Sequence, residues 1–226
     1  MTVYLLNDEP IFPPPSEAEP DGLVALGGDL SPLRLLNAYA EGIFPWFRDD
    51  EDIFWFSPDP RIVLFPDDLK VSASLGRVIR SGKFDVRCDT VFPEVIEACA
   101  SASRPGQDGT WIDEDFIKGY TELHRLGYAH SFESFIQGEL CGGLYGVSIG
   151  RAFFGESMFH KTTGASKVAF CAMVEKIKTW QFDFVDCQVE TDLVKRLGAI
   201  PVPRDDYLDR LKKAIGHPTL KGQWVL

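Results

Sequence analysis

The 226-residue chain has no apolar run long enough to cross a bilayer, no CxxC pair, no HExxH and no GKS or GKT. Its opening residues, MTVYLLNDEPIFPPP, place no basic segment ahead of an apolar core, so the expected location is the cytoplasm, with no membrane partner. Cysteine is sparse. Cys88, Cys99, Cys141, Cys171 and Cys187 are scattered and odd in number, which suits neither a disulfide framework nor a zinc site and predicts reduced, mostly buried thiols. The four histidines have no metal-ligand spacing, and no metal is expected.

Positive charge is scarce where the chain begins. Residues 1–69 hold 14 Asp and Glu against 3 Arg, whereas the rest balances at 20 against 20, for a net charge of −11. Such a balance argues against a generally nucleic-acid-binding surface. One stretch departs from it: KVSASLGRVIRSGKFDVR carries Lys70, Arg77, Arg80, Lys83 and Arg87 against Asp85 alone. A helix through Ser72–Ser81 sets Arg77 and Arg80 on neighbouring positions of one face. Both a solvated helix face and a local phosphate-contacting patch fit this pattern.

What is present is a mixed α+β pattern in two parts, a small N-terminal domain over residues 1–68 and a larger domain over 69–226. In the first part, Ser31 can N-cap a helix with Pro32 at its first position, and Leu33, Leu36 and Tyr39 or Ala40 recur at helical spacing up to Gly42. IFWFSPDPRIVLFP reads as one strand limited by Pro58, Pro60 and Pro66. From Lys70 the spacing predicts a basic helix, a strand FDVRCDT, a helix FPEVIEACAS, a loop ASRPGQDGTWI and a helix DEDFIKGYTELHRLG. A strand YAHSFESFI, a hairpin, a helix TGASKVAFCAMVEKIKTW, a strand FDFVDCQVE and a helix TDLVKRLGA follow.

The hairpin, GGLYGVSIGRAFFGESMF, lacks the spacing of a dinucleotide fingerprint or a P-loop and turns near Gly150. Glycines 142, 143 and 146 weaken a strand unless another backbone or a ligand must approach closely. Glu156 is an acid in an apolar run. It is costly on a core face unless paired, and unremarkable on a solvated one. In the next helix Thr162 or Thr163 can act as cap, leaving first-turn N–H groups for an anion or a polarised oxygen. Phe170, Met173, Val174, Ile177 and Trp180 form an apolar stripe that can serve as core and pocket floor together. On FVDCQVE, alternation sets Asp186 and Gln188 on one face and Cys187 on the other. A Cys187 nucleophile with His160 as base is the competing reading, weakened by that opposite facing.

The blocks GLVALGGDLSPLRLLNAYAEGIFPWF, WFSPDPR, GTWI, GGLYGVSIG, FFGESMF, ASK and DCQV, in this order and over nearly the whole chain, resemble the bacterial leucyl/phenylalanyl-tRNA–protein transferases. The resemblance implies a GCN5-related N-acetyltransferase-like (GNAT-like) second domain. It also implies transfer of leucine, phenylalanine or, less well, methionine from aminoacyl-tRNA to proteins beginning with Arg or Lys, which enter the N-degron pathway. An aminoacyl ester is already activated, so no cofactor and no covalent enzyme intermediate are expected, and neither is an oligomer. By the same resemblance Asp186 is the base acting through Gln188, with Glu156 close by; a variant routes protons through the hydroxyls of the terminal adenosine. Trp46, Trp111, Leu144, Met158, Phe170, Met173 and Val185 are the expected aminoacyl-adenosine pocket, with the glycine-rich strand lying against the ligand. Leu144, Phe170 and Met173 stand where other members carry Met, Leu and Phe, which leaves the order of preference between leucine and phenylalanine open. Arg77, Arg80, Lys83 and Arg87 are the expected tRNA contact, and the acidic run Asp49, Asp50, Glu51 and Asp52 could attract a cationic acceptor. An acetyl-CoA-dependent acyltransferase would want a pyrophosphate loop where HKTTGAS stands, and a non-catalytic binder would have little use for the Asp186, Gln188 and Glu156 set.

Overall fold

Two sheets organise the chain in the computed structural model, which describes residues 3–49, 52–102 and 111–226. The first contains β1 (Tyr4–Leu6), β2 (Leu23–Gly27), β3 (Phe44–Asp49) and β4 (Asp52–Phe56), in the order β1-β2-β4-β3. Helix α1 (Pro32–Ala40) crosses between β2 and β3 and starts as its sequence predicts, with Pro32 in the first turn and Ser31 Oγ accepting the Arg34 N–H.

The stretch from Ile53 to Pro66 departs from the single strand expected of it. Pro58 and Pro60 offer no N–H to a ladder, so the chain breaks there. β4 stays in the first sheet, while β5 (Arg61–Leu64) enters the second. That sheet continues with α2 (Ala73–Arg80), β6 (Asp85–Cys88), α3 (Phe92–Ala100), α4 (Glu114–Arg125), β7 (Ala129–Ile136), β8 (Glu139–Ile149) and β9 (Ala152–His160). It closes with α5 (Ala165–Thr179), β10 (Phe184–Gln188), α6 (Asp192–Arg196), β11 (Ile200–Val202) and α7 (Arg204–Ile215). The order of its strands is β11-β5-β10-β9-β8-β7-β6. β6 to β9 pair antiparallel, whereas β9, α5 and β10 form a parallel crossover. Most of the expected ASRPGQDGTWI loop lies outside the described residues.

Ser72, Asp113 and Thr191 cap α2, α4 and α6 through their side-chain oxygens. Helix α5 is different: Gly164, at φ +92, is its N-cap, and neither Thr162 nor Thr163 caps it with a side chain. Glycine takes that left-handed entry without a Cβ clash, so the cap falls one residue after the threonines and the helix begins at Ala165.

Alternation along β8 and β9 separates two cores. Tyr145 and Phe154 pack with Tyr39, Phe92, Phe116 and Tyr120 under α1, α3 and α4, whereas Leu144 and Phe153 pack with Met173, Val174 and Ile177 of α5. Burying each such side chain contributes about 1.5–3 kcal/mol. Among the described residues no helix is long and apolar enough to cross a membrane.

Candidate active site

Between the two sheets and α5 lies a cavity of about 570 Å³. Trp46 from β3, Trp111 ahead of α4, Leu144 from β8, Met158 from β9, Phe170 and Met173 from α5 and Val185 from β10 all line it, as do Glu156 and Gln188. Six separate stretches of chain therefore deliver the apolar residues expected of one pocket. Phe170 and Met173 face the cavity while Val174 and Ile177 are fully buried, so the α5 stripe is pocket floor and core at once. Sequence reasoning missed the wall opposite, formed by Val189, Thr191, Leu193 and Val194 around the start of α6.

The glycine-rich strand plays a different part from the one expected. A Cβ on Gly142 would lie 2.5 Å from the Ala165 Cβ, and one on Gly146 would lie 2.2 Å from the Phe154 carbonyl oxygen. These glycines let α5 and β9 approach β8 and do not themselves line the cavity, which takes Leu144 and Tyr145 from this strand.

Glu156 is the polar centre of the cavity. Its Oε1 accepts the Gln188 Nε2–H at 2.8 Å and its Oε2 accepts the Tyr120 hydroxyl at 2.9 Å. Tyr120 and Tyr39 share a further hydrogen bond of 2.6 Å. Burial pushes the Glu156 carboxyl up to about 7, and the Asp186 charge adds to the rise while the bonds from the tyrosines and Gln188 oppose it. Burial and the Glu156 charge hold both tyrosines well above their ordinary range, so both remain proton donors.

Asp186 and Gln188 do not share a face as alternation predicts. The pairing of β10 with β5 slips between them, and Gln188 adopts φ +62. Val185 and Cys187 consequently face the cavity, Asp186 points the other way, and the irregular step returns Gln188 to the cavity side. Asp186 is fully buried one layer behind. Arg61 donates from Nε to Oδ1 and from Nη2 to Oδ2, both at 2.8 Å. Tyr207 donates its hydroxyl to Oδ2 at 2.7 Å, and the Gln188 backbone N–H reaches Oδ1 at 2.8 Å. Burial works against the Arg61 charge and the Asp186 carboxylate outweighs it, so the Arg61 pKa rises. Arg61 and Tyr207 carry no local sequence signal linking them to Asp186, from which they stand 125 and 21 residues away.

Cys187, although on the cavity wall, is a poor nucleophile, because burial and the adjacent Asp186 charge push its thiol far up. His160, its candidate base, is exposed at the end of β9 and does not line the cavity.

The four basic residues lie apart from the cavity. Arg77 and Arg80 are exposed in the last turn of α2, and Lys83 follows in the turn before β6. Arg87 is bound to Asp85 at 2.7 Å and lies over the Phe135 ring at 4.2 Å. Of the acidic run, Asp50 and Glu51 lie outside the described residues. A second concavity, lined by Tyr4, Glu17, Ala18, Glu19, Pro20, Asp59 and Arg204, holds none of the expected site residues.

Residues 63–212 match the family profile of leucyl/phenylalanyl-tRNA protein transferase, and residues 28–59 match that of its N-terminal domain. A leucyl/phenylalanyl-tRNA–protein transferase from Anaeromyxobacter sp. strain Fw109-5 is 55% identical over 226 residues, all of this chain and 96% of its own length. Its counterpart from Myxococcus xanthus is 52% identical over 227 residues, all of this chain and 97% of its own. A solved GCN5-related N-acetyltransferase-like protein from Streptococcus suis aligns with 73% of this chain and 61% of its own at 13% identity and a TM-score of 0.35.

Proposed function

The chain belongs to the leucyl/phenylalanyl-tRNA–protein transferase family, and starting from this aminoacyltransferase identity we propose what its cavity transfers, to what and how. The donor is leucyl-tRNA, with phenylalanyl-tRNA also used and methionyl-tRNA used less well. The acceptor is the N-terminal amine of a protein beginning with Arg or Lys, which is thereby marked for N-degron proteolysis. The enzyme acts in the cytoplasm as a monomer. The observation that carries this reading is one carboxylate and one carboxamide, Glu156 and Gln188, bonded to each other inside a largely apolar cavity walled by two tryptophans.

An aminoacyl ester needs alignment and proton removal more than activation. Holding the amine against the ester carbonyl can supply about 7–11 kcal/mol of the barrier. The resemblance assigns the base role to Asp186 through Gln188, but Asp186 bonds the Gln188 backbone and the carboxamide bonds Glu156. Glu156, which faces the cavity and titrates near 7, therefore takes the proton from the acceptor ammonium. The free amine attacks the ester carbonyl, the new C–N bond forms, and the bond to the ribose oxygen breaks. The departing oxygen receives the proton that Glu156 returns, and the attacking nitrogen, left with two hydrogens and a positive charge, releases one of them to solvent as the amide forms. Asp186 acts from behind, through the position of Gln188.

The apolar lining takes the leucyl side chain and the adenine. One methylene in such a pocket discriminates by only about 1–3 kcal/mol, so exclusion of β-branched side chains rests on shape. Arg77, Arg80 and Lys83 contact acceptor-stem phosphates without reading bases, and Arg87 contributes less because Asp85 already holds it. The antiparallel run β6 to β9, followed by the β9–α5–β10 crossover, supports a GNAT-like arrangement of the second domain.

The direct test is incubation with leucyl-tRNA and an Arg-starting peptide, read by mass spectrometry. One added leucyl group is expected, and an unmodified peptide would refute the reading. Arg77→Ala with Arg80→Ala should weaken tRNA binding and lower its log–log salt slope by about 1–2. An unchanged slope would remove the phosphate patch.

A further inference from the structure

The cluster of Arg61, Asp186 and Tyr207 is more polar than stability requires. Both partners of the ion pair are fully excluded from solvent, and Arg61 Nη1 has no hydrogen-bond partner among the described residues. Apolar side chains of similar volume can often replace such a pair without loss of stability, because desolvation offsets the attraction. The guanidinium lies over the Phe44 and Tyr207 rings, 4.6 and 4.8 Å from their centroids, so aromatic faces flank it.

All these contacts converge on Asp186, and Asp186 in turn holds the backbone N–H of Gln188. Gln188 stands at φ +62, a left-handed conformation that is unfavourable for a side chain with a Cβ. Without that step, strand alternation would leave Gln188 behind the cavity alongside Asp186. With it, the carboxamide reaches Glu156 at 2.8 Å.

We propose that Arg61 and Tyr207 are positioning residues for aminoacyl transfer: by fixing Asp186 they hold the Gln188 backbone in its left-handed turn and so aim the Gln188 carboxamide at Glu156. The inference rests on the reading of this cavity as the transfer site. Asp186 then serves as a hydrogen-bond acceptor of fixed position. The cluster also joins two walls of the cavity, since Phe44 precedes Pro45 and Trp46 on β3 while Gln188 ends β10.

Two double variants of the full chain separate position from charge. Arg61→Met with Asp186→Asn removes both charges but keeps an oxygen able to accept the Gln188 N–H. Arg61→Met with Asp186→Leu removes the charges and the acceptor together. The first should melt close to the unmodified protein, whereas the second, which strands the Gln188 N–H and the Tyr207 hydroxyl, should melt lower by about 5–15 °C and still fold. The first should keep kcat within about tenfold, whereas the second should lose about a hundredfold, the scale of a displacement near 1 Å. KM for leucyl-tRNA should stay within threefold in each. Hydrogen exchange at the Gln188 amide should remain slow in the first variant and become fast in the second. Equal large losses of kcat in both, with the Gln188 amide still slow to exchange in the first, would show that the carboxylate charge and not the backbone clamp is what matters and would overturn the proposal, as would full activity in the second. Should neither double variant fold, Tyr207→Phe decides: a severalfold fall in kcat is expected, and an unchanged kcat in a folded protein overturns the proposal. The unmodified protein run in parallel keeps the two claims apart, because absence of leucine transfer by it would defeat the functional reading, while the exchange measurement would still test the clamp.

Discussion

Two networks of buried polar groups lie within one sheet, and they differ in a single respect. The network behind the cavity runs from Arg61 through Asp186 to Gln188 and Glu156. The other joins β6 and β7 to the C-terminal segment. There Asp89 accepts the Ser131 N–H at 2.8 Å, the Trp224 N–H at 2.7 Å and His130 Nδ1 at 2.8 Å, while the His130 ring stacks on Trp224 at 3.6 Å. Glu133 is buried beside it, bonded to Ser131 and Thr90. Both networks contain titratable groups moved by burial: His130 is pushed down, and Glu133, like Glu156, is pushed up. The first reaches the cavity, through Glu156 and Gln188, whereas the described residues of the second line neither of the two concavities. Perturbed titration alone would have marked both as candidate sites. Access tells a network that meets substrate from one that anchors the end of the chain.

The sharpest way to break this comparison is to disable each network in turn. Glu156→Gln keeps a side chain of the same shape and removes the proton acceptor. It should lower kcat by about 10²–10⁴-fold with little change in melting temperature. Near-normal kcat would mean that Glu156 is no more functional than Glu133.

Asp89→Ala should do the reverse. It strands the Ser131 and Trp224 N–H groups, each at about 1–3 kcal/mol. The melting temperature should fall by about 5–15 °C, given roughly 2–4 °C per kcal/mol for a chain of this size. The folded fraction should transfer leucine at the normal rate. A kcat loss beyond the loss of folded protein would tie the anchor to the reaction.

The subtlest distinction is the sign of the pH dependence of stability. Glu156 has a raised pKa, so the native state holds its proton more tightly than the unfolded chain does. Its contribution is full below about 4.5 and is lost as pH rises through about 7. His130 has a lowered pKa, so its contribution is present above about 6.5 and is lost as pH falls below it. Difference melting curves against Glu156→Gln and His130→Asn should therefore slope in opposite directions between pH 5 and 7. Glu133 shares the sign of Glu156, which is why single-variant differences are needed. Parallel slopes would contradict the assignment.

Much of this was legible in the sequence, and the exceptions share a cause. Helix starts with a capping side chain, such as Ser31, Ser72, Asp113 and Thr191, follow local rules, and the structure places them where those rules do. The seven apolar pocket residues came from motif resemblance, and they converge on one cavity. Strand alternation failed at Gln188, because a period of two cannot register a slip between neighbouring residues. It failed for the same reason to expose Asp186 as buried. The prolines of SPDPR look in the sequence like the ends of one strand, whereas they pass the chain from one sheet to the other, and this hides the place of Arg61. The glycines of β8 signal close approach without saying of what; helix and strand, not ligand, answer.

Pro45 and Trp46, the contribution of the first sheet to the cavity wall, bear on an outcome other than speed. An activated ester has two fates, capture by an amine or hydrolysis, and water is present at far higher concentration than any acceptor protein. A wall that keeps the solvent out decides which fate prevails. Trimming Pro45 and Trp46 to Ala would open that side of the cavity, and the outcome expected is discharge of the ester by water at the expense of transfer.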